Sequence, residues 1–137
     1  MNELHADPLQ GDVATAQSTS SAGYTDLATS GPSQTKTLVN GQKVIVIVST
    51  RGSVGSNADE ALMSFAVSGA TTQAANDSNA TDQRDAGGNH YKVLERTTVF
   101  TALASGSHTF TAKYKFVDGG GASTATFSNR RIIVKAF

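Results

Sequence analysis

Cysteine is absent from the 137 residues, and that absence excludes disulfide staples, thiolate metal sites and a cysteine nucleophile together. Stability must come from packing or from partner subunits, and the composition suits assembly in a reducing cytosol. An excess of either charge is missing too. Lys plus Arg and Asp plus Glu both number 11, so no global field draws the chain to nucleic acid or to an anionic membrane, and neither is expected as a partner. No run approaches the roughly 20 apolar residues that span a bilayer. The opening MNELHADPLQ lacks the basic-then-apolar order of a signal peptide, which predicts a product that stays where it is made or leaves inside an assembly. Basic residues are also missing locally. Residues 1–35 hold Glu3, Asp7, Asp12 and Asp26 with no Lys or Arg, so an acidic segment precedes a mildly basic body.

The residues that carry chemistry are sparse. His5, His90 and His108 fall in an arm, a loop end and a strand, and no pair has the short spacing of metal ligands. Asp77, Asn79, Asp82 and Asp85 offer oxygen atoms that Ca²⁺ could use. Their spacing departs from the EF-hand pattern, and a solvated loop whose Asx side chains cap its own turns is the favoured reading. A glycosidase needs two positioned carboxylates, and Glu95 is the one clear strand candidate. The chain has no GxSxG, P-loop or GxGxxG stretch, and Gly119–Gly121 lacks the helix and Lys of a phosphate cradle. Lys113, Tyr114, Lys115 and Phe116 resemble a fragment of a nucleic-acid platform, but alternation sends the lysines and aromatics to opposite faces. These observations predict a non-enzyme with no cofactor and no metal.

What the chain does contain is strand and turn. Thr, Ser, Ala and Gly dominate and charged residues make up only 16%, which leans to an all-β fold. Residues 1–22 show no sustained period and few apolar positions, which predicts an extended N-terminal arm whose order is borrowed from a neighbour. Its anchors would be Leu4, His5, Pro8, Leu9 and Val13. Residues 23–137 read as one antiparallel β-sandwich, jelly-roll-like, with about seven or eight strands.

Gln34–Val39 and Lys43–Thr50 flank Asn40-Gly41, the strongest short hairpin dipeptide. Leu62–Ser68 puts Met63, Phe65 and Val67 on one face. Residues 69–90 read as a long exposed loop with room for a small helical or strand segment, and Tyr91–Leu103 as the next strand. His108–Phe116 alternates most clearly, Asp118–Gly121 makes a loose hairpin turn into Thr124–Phe127, and Ser128-Asn129 breaks the chain before Arg130–Ala136. The run Val44–Val48 is apolar on both faces, so a second cover is expected over it, from the domain or from another subunit. Val44, Val46 and Val48, with Arg130 and Arg131 reaching a neighbouring acidic arm, are the candidate subunit interface.

Three phrases resemble a known family: Met63–Thr72 with Ala74, Ala75 and Asp77; Thr109–Tyr114; and Thr126–Ile132. With the lead-in Tyr24-Thr25-Asp26-Leu27 and Gly31-Pro32, residues 18–137 are similar to small virion proteins of tailed bacteriophages. The resemblance implies a β-sandwich displayed on the virion surface after assembly in the host cytoplasm, commonly a homotrimer bound to major capsid or other virion proteins. The implied role is a capsid decoration (cement) protein. The alternative is a head or tail fibre component that binds a receptor or carbohydrate.

Overall fold

The computed structural model describes residues 7–55, 58–84, 90–121 and 123–137, and strands dominate it. In chain order they are β1 (Leu9–Val13), β2 (Gln17–Thr19), β3 (Ser33–Leu38), β4 (Val44–Val54), β5 (Glu60–Gly69), β6 (Thr81–Arg84), β7 (Lys92–Phe100), β8 (Gly106–Val117) and β9 (Ala125–Ala136). A single 3-10 turn, Asp77–Asn79, interrupts them. No helix among the described residues is long and apolar enough to cross a membrane.

Every strand pairing is antiparallel, and the strands form two sheets. Sheet A runs β1-β9-β4-β7, with β2 continuing along β9 beyond β1; sheet B runs β3-β8-β5-β6. Each sheet alternates strands from the two halves of the chain, and six of the eight connections cross from one sheet to the other. That is the interleaved order of a jelly-roll sandwich. Nine strands occupy eight positions, because β1 and β2 share one side of β9.

The core is written by the period of two. Val44, Val46 and Val48 of β4 and Ile132 and Val134 of β9 are fully buried on the inner face of sheet A. Met63, Phe65 and Val67 of β5, with Phe110, Ala112 and Tyr114 of β8, line the inner face of sheet B. Aromatic rings knit the layers: Phe65 and Phe100 meet edge-on at 5.9 Å, and Tyr114 tilts against Phe127 at 4.9 Å. His108 sits in the same buried row, at the start of β8 and stacked on Phe110.

Four sequence expectations change. Asn40-Gly41 does turn the chain, closed by the Gln42 amide on the Val39 carbonyl at 3.2 Å, but β3 and β4 do not pair. Only Gly41 has positive φ, +82°, whereas a type I′ hairpin needs it at both central residues, so the flanking strands splay into different sheets. Asp118–Gly121 likewise joins β8 to β9 across the two sheets. Ser128-Asn129 is a bulge inside one long strand: Asn129 takes φ +47° and the β4–β9 register shifts between Ser49 and Arg51.

The fourth change concerns order at the two polar stretches. Within the expected arm, β1 and β2 add to β9, with Leu9 opposite Val134 and Gln17 opposite Phe127. Backbone ladder bonds supply the order that the sparse apolar residues could not, so the sandwich begins at Leu9. Within the expected 69–90 loop, Gln73 pairs with Val67 and residues 81–84 form β6 beside β5.

Candidate functional site

The two sheets treat their outer faces differently. On sheet B, Leu62 and Ser64 of β5 stand opposite Lys115 and Lys113 of β8, and both β5 residues are buried although they point away from the core. The chain itself covers them. Ser64 Oγ donates to the Asn76 carbonyl at 2.8 Å, and Val67 and Gln73 exchange backbone bonds at 2.8 and 2.9 Å. Asp77 is gripped by Lys115 Nζ at 2.5 Å and by the Tyr24 hydroxyl at 2.8 Å, while Lys113 Nζ holds Asp26 at 2.8 Å. The ammonium and the phenol hold the Asp77 carboxyl below the usual carboxylate range. Burial, reinforced by the Asp77 anion, pushes the Tyr24 hydroxyl up.

Sheet A has no such cover among the described residues. Cross-strand partners share a face, so the register sets out rows on the exterior: Val99, Ile45 and Lys135; Thr97, Ile47, Ile133 and Gln10; Glu95, Ser49, Arg131 and Asp12. Ile45, Ile47 and Ile133 are half-buried, and Val99 and Val93 are 53% and 82% exposed. An apolar stripe therefore crosses the middle of the sheet, rimmed by charge. At one margin Arg131 Nε donates to Asp12 Oδ1 at 2.6 Å, with Gln10 on the other oxygen at 2.8 Å. The Arg131 guanidinium keeps the Asp12 carboxyl below its ordinary range, with help from Gln10. At the other margin the Arg51 guanidinium lies 4.2 Å over the Tyr91 ring.

The residues singled out in the sequence fall in several places. Val44, Val46 and Val48 are fully buried in the core, so they cannot form a subunit interface; the outward residues of that strand are Ile45 and Ile47. The doubly apolar run marks both faces of β4, but nothing in it says which parity faces inward. Leu4 and His5 lie outside the described residues. Pro8 is exposed ahead of β1, while Leu9 and Val13 are half-buried on the inward-facing row of β1.

Arg130 and Arg131 point to opposite sides. Arg131 is exposed and meets the acidic N-terminal segment of its own chain through Asp12. Arg130 is fully buried: Nη1 donates to the carbonyls of Thr29 at 3.1 Å and Gly31 at 3.3 Å, and Nη2 to Gln17 Oε1 at 2.8 Å. Its guanidinium lies 5.2 Å over the Tyr114 ring, whose hydroxyl donates to the same Gly31 carbonyl at 2.7 Å. Burial pushes that hydroxyl up to about 12, against the opposing pull of Arg130. Arg130 thus clasps β2 and the 29–31 segment onto the core.

Scanned against protein-family models the chain matches none, and no curated protein matches it significantly. The arrangement of groups therefore carries the functional argument. A cleft of about 320 Å³ opens where β1 gives way to β2, lined by Asp12, Val13, Ala14, Asn129, Arg130 and Arg131. It holds no histidine and no second carboxylate, and Asp12 and Arg131 already neutralise each other. Among the described residues no three His, Asp or Glu side chains gather as metal ligands; Asp77 is engaged by Lys115 and Tyr24, and Asp85 lies outside the described residues. What the described surface offers is the outer face of sheet A, a half-apolar sheet with a polar rim.

Proposed function

We propose that this protein is a non-enzymatic structural protein of a bacteriophage virion, a capsid decoration protein that stabilises the head shell through the outer face of sheet A. The observation that carries the reading is the asymmetry of cover. The chain spends two segments, around Tyr24–Asp26 and Gln73–Asp77, on sealing one sheet and leaves Ile45, Ile47, Ile133 and Val99 open on the other. An apolar stripe with a charged rim on an open sheet face supports reading that face as a binding surface. Jelly rolls serve in viral shells and also in lectins and cupins, so the fold alone leaves the role open. The phage assignment draws on the resemblance of residues 18–137 to tailed-phage virion proteins.

On this reading the module assembles in the host cytoplasm, associates with itself and with major capsid subunits, and needs no cofactor, nucleic acid or membrane. Co-expression with the cognate capsid protein, followed by sedimentation of shells, tests it. The native chain should co-sediment, and the double variant Ile47→Lys with Ile133→Lys should stay in the supernatant while keeping its far-UV spectrum. Equal retention of both would remove the outer face from the account. The fibre alternative rests on Tyr91, an aromatic ring 50% exposed, but Arg51 already occupies one of its faces. Selective glycan binding lost on Tyr91→Ala would favour that alternative.

A further inference from the structure

The edges of the two sheets are as unequal as their faces. β1 and β2 are short and interrupted, β6 has four residues, and β3 presents the polar run Ser33–Thr37. Along β8 the free edge beyond β3 is closed by the protein's own backbone: the Ala112 amide donates to Pro32, the Tyr114 amide to Thr25 and the Phe116 amide to Ser21, at 2.8–3.0 Å. β7 differs from all of these. It has nine regular residues, pairs only with β4, and among the described residues no strand bonds its other side. It also carries the most exposed valine of the chain, Val93 at 82%, and Val99 at 53%. A long, regular edge of this kind is a template for strand addition unless something caps it.

We propose that the cap is a second copy of this chain, joined by antiparallel β7–β7 pairing about a two-fold axis at Thr97, so that two copies of sheet A become one continuous sheet. The charge pattern of β7 narrows the register, and among the registers that oppose no like charges the axis at Thr97 gives the longest overlap of the strand with itself. A two-fold axis at Leu94 sets Lys92 against Arg96 of the mate, one at Glu95 sets two carboxylates face to face, and one at Arg96 sets two guanidiniums face to face; like charges directly opposite are destabilising. The axis at Thr97 opposes threonine to threonine, Arg96 to Thr98, Glu95 to Val99 and Leu94 to Phe100, with no like pair opposed over seven residues. The strand is held ready for it: Arg96 Nη2 is bonded to the Ser78 carbonyl at 2.8 Å, which draws the guanidinium toward its own domain. The apolar stripe of one sheet A then runs on into that of the other.

This inference deepens the assembly reading by naming one partner, and it replaces the three-fold association implied by the resemblance with a two-fold one. The native absence of cysteine makes it directly testable. Opposed residues of an antiparallel pair have Cα atoms roughly 4.5–5.5 Å apart, inside the range of about 4.4–6.8 Å that a disulfide accepts. Thr97→Cys should therefore cross-link to itself under mild oxidation. Val93→Cys should not, because four residues on each side of the axis at ~3.4 Å each put its mate about 27 Å away. Light scattering of the native chain should give 28.2 kDa, twice 14.1 kDa, and Thr97→Lys, which opposes two ammonium groups at the axis, should shift the species toward 14.1 kDa with an unchanged far-UV spectrum.

A native monomer or trimer overturns the inference, as does preferential cross-linking at Val93 or a Thr97→Lys variant that dimerises as well as the native chain. Because β7 pairing needs no shell, a dimer that fails to bind capsids would refute the decoration reading alone, and a monomer that binds them would refute the pairing alone.

Discussion

The outer faces of sheets A and B begin from similar sequence and end differently. Each strand pair offers alternating side chains to solvent, yet Leu62 and Ser64 on sheet B are sealed under the chain's own loop while Ile45 and Ile47 on sheet A stay open. The difference lies in what flanks the strands. Sheet B has Tyr24, Asp26 and Asp77 within reach of its lysines, so three hydrogen-bonded links lay polar backbone across it. On sheet A the flanking acid, Asp12, is taken up at the margin by Arg131, and no described residue covers the apolar centre. One face is sealed by the chain itself and the other is bare among the described residues, and the proposal of a partner rests on that contrast.

The comparison can be broken most sharply at two adjacent residues of β4. Val46→Asp buries an unpaired carboxylate and should cost more than ~4 kcal/mol, enough to prevent folding. Ile47→Asp, one residue on, points outward and should cost about 1 kcal/mol or less. Urea midpoints of the two variants check this; similar losses would mean that both faces are interior. Arg130→Ala comes next. It strands the Thr29 carbonyl, leaves the Gly31 carbonyl to Tyr114 and Gln17 to the Thr29 amide, and opens a void, so it should cost roughly 2–4 kcal/mol, whereas Arg131→Ala at the exposed margin should cost about 0.5 kcal/mol.

The smallest effect is acid-linked. Asp12 and Asp77 both have carboxyls held below the ordinary range. Each therefore contributes stability that is present above the unfolded carboxylate value near about 4 and is lost as pH falls through the lower folded value. Their side chains are 47% and 64% exposed, so solvent screening holds each contribution to about 0.5 kcal/mol. Asp77→Asn and Asp12→Asn should be slightly less stable than the native chain at neutral pH and indistinguishable from it at the acid end of a urea titration.

Much of the sandwich was legible in the sequence because burial and alternation coincide. Phe110, Ala112, Tyr114 and Phe116 occupy every second position of β8 and all face the core, and Met63, Phe65 and Val67 do the same in β5. The pairing was less legible. Asn40-Gly41 marks a turn but not which sheet the next strand joins, since that depends on φ at Asn40 and on distant partners. β1 and β2 escaped notice, and β6 was legible only as an unplaced short segment, because their stability comes from ladder bonds to β9 and β5, and a backbone bond leaves no mark on composition. At the candidate site the double apolarity of Val44–Val48 was visible, but parity was not: a slip of one residue exchanges Val46 for Ile47, and only the register with Val134 and Ile133 decides it.

The outer face of sheet A, uncovered by any described residue of the free chain, is proposed to be covered in the assembly. Maleimide labelling of Ile47→Cys tests it most directly, because the chain has no competing thiol. The account predicts prompt labelling of the free protein and strong protection within isolated virions, while Asp82→Cys on sheet B labels equally in both. Labelling of position 47 at the same rate in virions as in solution would contradict it.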